Sequence, residues 1–108
     1  MKLYVKLAPH GAYYCYTCFQ GLYANKQTAI DELKTKYKEL PYIKVFVYTH
    51  NHHNDVDNDN VTHTHVMAYN TNGGAISQRE FEKACDNQEE EYLDGHWELF
   101  TLEETEVI

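Results

Sequence analysis

The fold is indicated most clearly in the middle of the chain, where residues 43–50 read IKVFVYTH and residues 61–69 read VTHTHVMAY. Both stretches are rich in Val, Tyr and Thr, which favour β-strands, and a run of Asn, Asp and His separates them. This arrangement predicts a β-hairpin around a long polar loop.

The N-terminal residues predict a second hairpin. Leu3, Val5 and Leu7 alternate with Lys and Tyr, which is the period-two pattern of a half-buried strand. Turn-forming residues follow, and the aromatic-rich residues 12–19 form a second strand that we expect to pair with the first.

Two helices are indicated by their capping residues. The first can begin at Asn25 or Thr28 and is stopped by Pro41. Its apolar residues recur at the spacing of one helix face: Ile30, Leu33, Tyr37 and Leu40. The second helix begins with a capping box of Ser77 and Glu80, flanked by a hydrophobic staple of Ile76 and Phe81, and runs at least to Asp86.

The C-terminal residues leave two alternatives open. Residues 89–93 either extend the second helix toward Gly95, or pair with residues 96–102 across the turn-forming dipeptide Asp94-Gly95. We favour the hairpin. The element order is then ββαββαββ, a single α+β domain spanning residues 1–108, with two helices on an antiparallel sheet.

The charge of the chain is concentrated at its C-terminal end. The net charge is -8, and residues 79–108 carry eleven acidic residues against Arg79 and Lys83. Such a field repels nucleic acid and attracts basic protein surfaces, although a solubilising face has the same composition. We therefore expect no direct nucleic-acid binding.

No apolar run reaches the length of a membrane span, and Lys6 interrupts the apolar residues at the N-terminus. We therefore expect no membrane partner and a cytoplasmic location.

The histidines form the most concentrated group of possible metal ligands. Five of the seven lie between His50 and His65. If His50 pairs with His65 and His52 with His63, all four imidazoles meet on one face, where they could hold Zn²⁺. A shift by one residue would break the cluster, and the pattern shows no supporting partners. We therefore expect no high-affinity metal site and assign no cofactor.

The cysteines and the catalytic motifs point away from an enzyme. Cys15 and Cys18 have C-x-x-C spacing without a second such pair, so they and Cys85 are expected to be free thiols. Ligation of a metal by Cys15, Cys18 and two histidines stays an alternative. The sequence contains no nucleophile elbow and no phosphate-binding glycine loop, and we expect a non-enzymatic protein.

A further alternative is a lysine-tyrosine surface on the first hairpin. Lys2, Tyr4 and Lys6 share one face of the first strand. Pairing of Lys6 with Tyr14, and of Tyr4 with Tyr16, would build an exposed platform on which single-stranded nucleic acid can stack.

The acidic segments at residues 89–94 (EEEYLD) and 103–106 (EETE) give the chain a recognisable character. A small, acidic, Tyr- and Asn-rich α+β chain of this kind resembles the phage-encoded inhibitors of bacterial defence systems, the anti-CRISPR and anti-restriction proteins. The resemblance implies an inhibitor in the cytoplasm of a bacterial host. Its carboxylates would stand where phosphates sit on the nucleic-acid-binding surface of a defence nuclease such as a CRISPR effector.

The acidic block is accordingly the predicted partner-binding surface. The Asp94-Gly95 turn would hold the acidic residues of two strands on one fixed hairpin, where carboxylates can meet arginine bidentately. The residues expected to contact a basic partner are Glu89, Glu90, Glu91, Tyr92, Asp94, Glu98, Glu103 and Glu104.

Overall fold

The described residues form an α+β fold with an antiparallel sheet and two helices, as expected from the sequence, and the sheet has five strands. The computed structural model describes residues 1–10, 16–54, 58–93 and 96–106. The strands are β1 (Lys2–His10), β2 (Tyr16–Tyr23), β3 (Ile43–Asn54), β4 (Asp59–Asn70) and β5 (His96–Glu106). The helices are α1 (Lys26–Tyr37) and α2 (Gln78–Asp86), and α2 is followed by a short 3₁₀ helix (Glu90–Tyr92). The strand order across the sheet is β2-β1-β5-β4-β3.

The last strand of the chain lies in the centre of the sheet. β5 pairs with β1 through residues 101–106 and with β4 through residues 96–103, whereas residues 90–92, which were expected to pair with it, form a 3₁₀ helix. The predicted pairing of residues 89–93 with residues 96–102 is therefore wrong, and the element order has five strands rather than six. Residues 90–92 form the 3₁₀ helix instead, while Asp94 and Gly95 lie outside the described residues.

The central hairpin is confirmed, but its strands are longer than expected. β3 continues to Asn54 and β4 begins at Asp59, so most of the polar run belongs to the strands rather than to a loop. His50 pairs with His63, whereas the predicted partner of His50 was His65. The error is two residues, and a shift by two leaves each side chain on its original face.

The first hairpin is also present with a different second strand. β2 begins at Tyr16 rather than at residue 12 and ends at Tyr23. Tyr4 pairs with Tyr23 and Lys6 with Gly21, so the predicted pairings of Tyr4 and Lys6 are wrong. Tyr14 lies outside the described residues.

One face of the sheet is covered by α1. Asn25 caps this helix, and its side chain accepts a hydrogen bond of 2.8 Å from the Gln27 backbone N–H. Buried Ile30 and Leu33 pack against the inward-facing residues of β4 and β5, including Phe100. Leu40, which was expected on the same helix face, lies beyond the end of α1 and is exposed.

The opposite face is covered in part by α2. Ser77 caps this helix by accepting a hydrogen bond of 3.1 Å from the Glu80 backbone N–H, which confirms the capping box. Phe81 is fully buried and packs with Phe46 and Ile76 against β4 and β5. In the ranges described, neither helix is long and apolar enough to cross a membrane.

Candidate metal centre

The sheet brings four histidines together beside the C-terminal end of α2. His50 and His52 lie two residues apart on β3, and His63 and His65 lie two residues apart on β4. Residues two apart share a face of a strand, and His50 is directly opposite His63. All four side chains therefore lie on the α2 side of the sheet. We call this group the histidine cluster.

The rings of the histidine cluster are in contact with one another. The ring centroids of His50 and His65 are 4.8 Å apart, and those of His52 and His63 are 5.6 Å apart in a stacked arrangement. One nitrogen each from His50, His63 and His65 lies within 4.8 Å of the other two. The register shift relative to the predicted pairing thus preserves the meeting of the imidazoles.

The carboxylate of Asp86 contacts the imidazole of His50. The Nδ1 atom of His50 lies 3.1 Å from the Oδ1 atom of Asp86 at the end of α2. Because a carboxylate only accepts, Nδ1 of His50 carries the proton and its Nε2 atom has a free lone pair. The Nε2 atoms of His50 and His65 lie 2.7 Å apart, close enough for one ring to donate a hydrogen bond to the other.

His65 has its own supporting groups on the opposite side of its ring. Its Nδ1 atom lies 3.0 Å from the Oγ1 atom of Thr101 and 3.7 Å from the Oε1 atom of Glu90. If the His65 proton is on Nδ1, the Oγ1 atom of Thr101 can accept its hydrogen bond. Both Nε2 lone pairs would then point into the same space, as metal coordination requires.

Burial favours the neutral forms of His63 and His65. The side chain of His65 is only 7% exposed, and burial together with the neighbouring histidines lowers its pKa to about 4. Burial also lowers the pKa of His63, although the carboxylate of Glu103 opposes this effect. Neutral imidazole is the form that binds metal ions. The lowered pKa values therefore favour the ligand form of His63 and His65 at neutral pH.

A cavity of about 360 Å³ lies over the cluster. Gln88 forms one wall and its amide nitrogen lies 2.8 Å from the Nε2 atom of His52. Buried Cys85 also lines the cavity, and burial raises the pKa of its thiol, so this cysteine is protonated at neutral pH. The donor atoms directed at the cavity are thus chiefly imidazole nitrogens. Cys15 and the side chain of Cys18 lie outside the described residues.

The predicted acidic surface is divided between the two faces of the sheet. Glu98 binds Lys36 at 2.8 Å, and Glu104 lies near Lys2 and Tyr4, all on the α1 side. On the α2 side, the Oε2 atom of Glu103 lies 3.7 Å from the Nε2 atom of His63, and Glu90 faces His65.

The remaining members of the predicted surface lie on the segment after α2. Glu89 and Tyr92 are exposed. Glu91 lies in the 3₁₀ helix, and Asp94 is outside the described residues. The predicted hairpin that would hold these carboxylates together is therefore wrong, while their contact with a basic partner stays a prediction.

The lysine-tyrosine platform is likewise not formed as predicted. Tyr4 packs against the core beneath α1, and its hydroxyl lies 3.4 Å from the Oε1 atom of Glu104. Lys2 is 3.5 Å from the same oxygen, and the Nζ atom of Lys6 lies 4.5 Å from the centroid of the Phe100 ring. These three side chains contact other residues of the same chain and do not form the predicted platform.

Sequence reasoning missed the groups that support the histidines. Asp86, Thr101 and Glu90 come from three separate elements, and long-range pairing brings them to the cluster. Only Glu90 had been singled out, and it had been assigned to an external acidic surface. The expectation that the histidines lack supporting partners is therefore wrong.

The comparisons with known proteins found nothing similar. No protein-family model matches the chain, and neither a curated protein nor a solved structure matches it. The function is therefore inferred from the chemistry of the site.

Proposed function

We propose that the protein binds a divalent transition metal, with zinc as the reference ion, through His50, His63 and His65. The observation that carries this proposal is the approach of three imidazole nitrogens to within 4.8 Å of one another on adjacent strands. Zinc accepts three histidine ligands in open sites and completes its tetrahedral coordination with a fourth, exchangeable ligand.

The spacing of the nitrogens is close to that of a metal site. In a tetrahedral zinc site with Zn–N bonds of about 2.0–2.1 Å, two ligand nitrogens lie about 3.3 Å apart. The Nε2 atoms of His50 and His65 are 2.7 Å apart, so they need to separate by only about 0.6 Å. Small rotations of these two rings are sufficient, and metal binding requires that neither Nε2 atom carries a proton.

The surroundings favour a cation at this position. Asp86 lies next to His50, Glu90 next to His65 and Glu103 next to His63, so each of the three imidazoles has a carboxylate neighbour. Carboxylates that receive the second N–H of a ligating histidine fix its orientation and make it a stronger donor. Imidazole ligands suit zinc, copper and nickel better than calcium or magnesium.

Zinc titration of protein prepared without a histidine tag tests the proposal. After treatment with a chelator, we expect isothermal titration calorimetry and elemental analysis to give one zinc per chain. The double variant His63→Ala, His65→Ala should lose this zinc, and the partly exposed His63→Gln variant should weaken it without loss of the fold. The matched control is His53→Ala, because His53 lies on the same hairpin but outside the three-ligand group. Zinc binding that is equal in wild type and all variants would contradict the proposal.

A second candidate function is the non-enzymatic inhibitor implied by the resemblance to anti-CRISPR and anti-restriction proteins. The observation that favours it is Tyr92, which is 75% exposed on a segment with exposed Glu89. Exposed tyrosines beside carboxylates are typical of surfaces that bind basic partners.

Capture of a defence nuclease from bacterial lysates tests this second function. We expect salt-sensitive capture that the variant Glu89→Lys, Tyr92→Ala abolishes. Tyr42→Ala is the control, because Tyr42 is also exposed but lies in the turn immediately before β3. Equal capture by both variants would refute this function.

A further inference from the structure

The histidine cluster continues into an apolar strip on the same face of the sheet. Residues that pair directly across antiparallel strands share a face, so the strand pairings define rows of side chains. One row runs from His50 through His63, Glu103 and Val5 to Leu22. The next row runs from Tyr48 through His65, Thr101 and Leu7 to Phe19.

In both rows the side chains change from polar to apolar between β5 and β1. The members on β3, β4 and β5 carry imidazoles, two hydroxyls and a carboxylate, while those on β1 and β2 are aliphatic or aromatic. Neighbouring strands lie about 4.8 Å apart, so Leu22 is about 10 Å from Glu103 across the sheet. Leu7 is shared by both regions, because it lines the cavity over the cluster and pairs with Phe19.

The outer part of the strip is open. Phe19 is 61% exposed and Leu22 is 57% exposed, although both lie on strand β2 and point to the side of the sheet that carries α2. α2 packs over β3, at the opposite edge of the sheet. A ligand that extends from the cluster along the strip would cover apolar surface that this helix leaves exposed.

We propose that the metal centre and the strip form one binding site for an uncharged amphiphilic small molecule. Its nitrogen or oxygen donor head occupies the fourth coordination position, and its apolar tail lies over Leu7, Phe19 and Leu22. This inference rests on the proposed metal function. The carboxylates of Asp86, Glu90 and Glu103 around the cluster disfavour an anionic head. A cavity of about 360 Å³ is large enough for such a head, and apolar lining with few polar groups is typical of small-molecule sites.

A series of 1-alkylimidazoles tests the inference. These probes present one imidazole nitrogen and an alkyl chain of chosen length, and at pH 8 they are mainly uncharged. The protein is loaded with Co²⁺, whose visible absorption changes when its fourth ligand changes. Each methylene that becomes buried contributes about twofold to fourfold in affinity, so the Kd should fall steadily from 1-methylimidazole to 1-octylimidazole.

Variants of the strip separate the head from the tail. In the variant Phe19→Ala, Leu22→Ala, the Kd of 1-methylimidazole should be unchanged, while most of the gain from the longer chains should be lost. Leu40→Ala is the matched control, because Leu40 is also an exposed leucine but lies at the end of α1. The unchanged Kd of the short probe also shows that the variant is folded and that its metal site is intact.

The outcomes distinguish this inference from the function on which it rests. Failure to bind Co²⁺ would overturn both. Binding of Co²⁺ and of 1-methylimidazole with no dependence on chain length, or a dependence that the double variant retains, would overturn the amphiphile site alone. Sedimentation that shows a dimer of the wild type, dissolved by the double variant, would assign the strip to a second copy and also overturn the inference.

Discussion

The pH dependence of folding follows from the burial of His65. In the metal-free protein, burial lowers the pKa of His65 from its ordinary value of 6.5 to about 4. Between these values the unfolded chain holds a proton on this side chain that the folded protein does not hold. Acid therefore favours unfolding: the stabilisation is complete above about pH 6.5 and is lost as the pH falls toward about 4.

The magnitude follows from the difference between the two pKa values. At 1.36 kcal/mol for each unit of pKa difference, the full effect is about 3 kcal/mol, most of which is lost between pH 7.5 and pH 4.5. The lowered pKa of His63 acts in the same direction, and titrating carboxylates contribute as well. The difference between wild type and His65→Gln isolates the contribution of His65.

Urea denaturation in the presence of a chelator measures this contribution. We expect the free energy of unfolding of wild type to fall by about 2–3 kcal/mol more than that of His65→Gln between pH 7.5 and pH 4.5. The control variant His53→Gln alters an exposed histidine of the same hairpin and should retain the wild-type dependence. Parallel curves for wild type and His65→Gln would refute the reasoning.

Three further variants test the supporting groups and the core. Asp86→Asn should weaken zinc binding about 10-fold to 100-fold by calorimetry, since it removes the carboxylate behind His50, whereas Glu82→Gln on the same helix should bind zinc like the wild type. Phe81→Ala removes a fully buried ring and should cost about 3–5 kcal/mol of unfolding free energy in urea, and a loss below 1 kcal/mol would contradict its place in the core. Ser77→Ala should cost about 1 kcal/mol in the same assay through loss of the cap, and no loss would mean that the cap is not stabilising.

The parts of the fold that could be predicted are those with a local signal. The two runs of β-favouring residues were sufficient to predict the central hairpin, and the period of two along a strand placed the histidines on one face. The caps at Asn25 and Ser77 are short-range hydrogen bonds between a side chain and a nearby backbone, so the sequence shows them directly.

The position of β5 had no such local signal. Asp94-Gly95 is strongly favoured in two-residue hairpin turns, and it predicted a neighbour for β5 from the preceding residues. The observed neighbours are β1 and β4, and β1 is about a hundred residues away along the chain. Apolar residues on β5 such as Phe100 and Leu102 are buried between these strands and α1. This burial outweighs the local turn preference.

The candidate site was predicted only in part for the same reason. The four histidines were identified together because they are close in sequence and share a period. Their register depended on the turn between β3 and β4, and the two polar strand ends specify register weakly. The support from Asp86 and Glu90 depends on where α2 ends above the sheet, which is a tertiary property.

Metal coordination by three imidazoles is the central claim, and X-ray absorption spectroscopy of the zinc-loaded protein tests it most directly. We predict three imidazole nitrogen ligands and one exchangeable oxygen ligand such as water, all at about 2.0–2.1 Å. No sulfur should be present in the coordination sphere. The His63→Gln variant should show one imidazole fewer. Sulfur ligands at about 2.3 Å would assign the metal to the cysteines, and a spectrum without imidazole scattering would contradict the account of the histidine cluster.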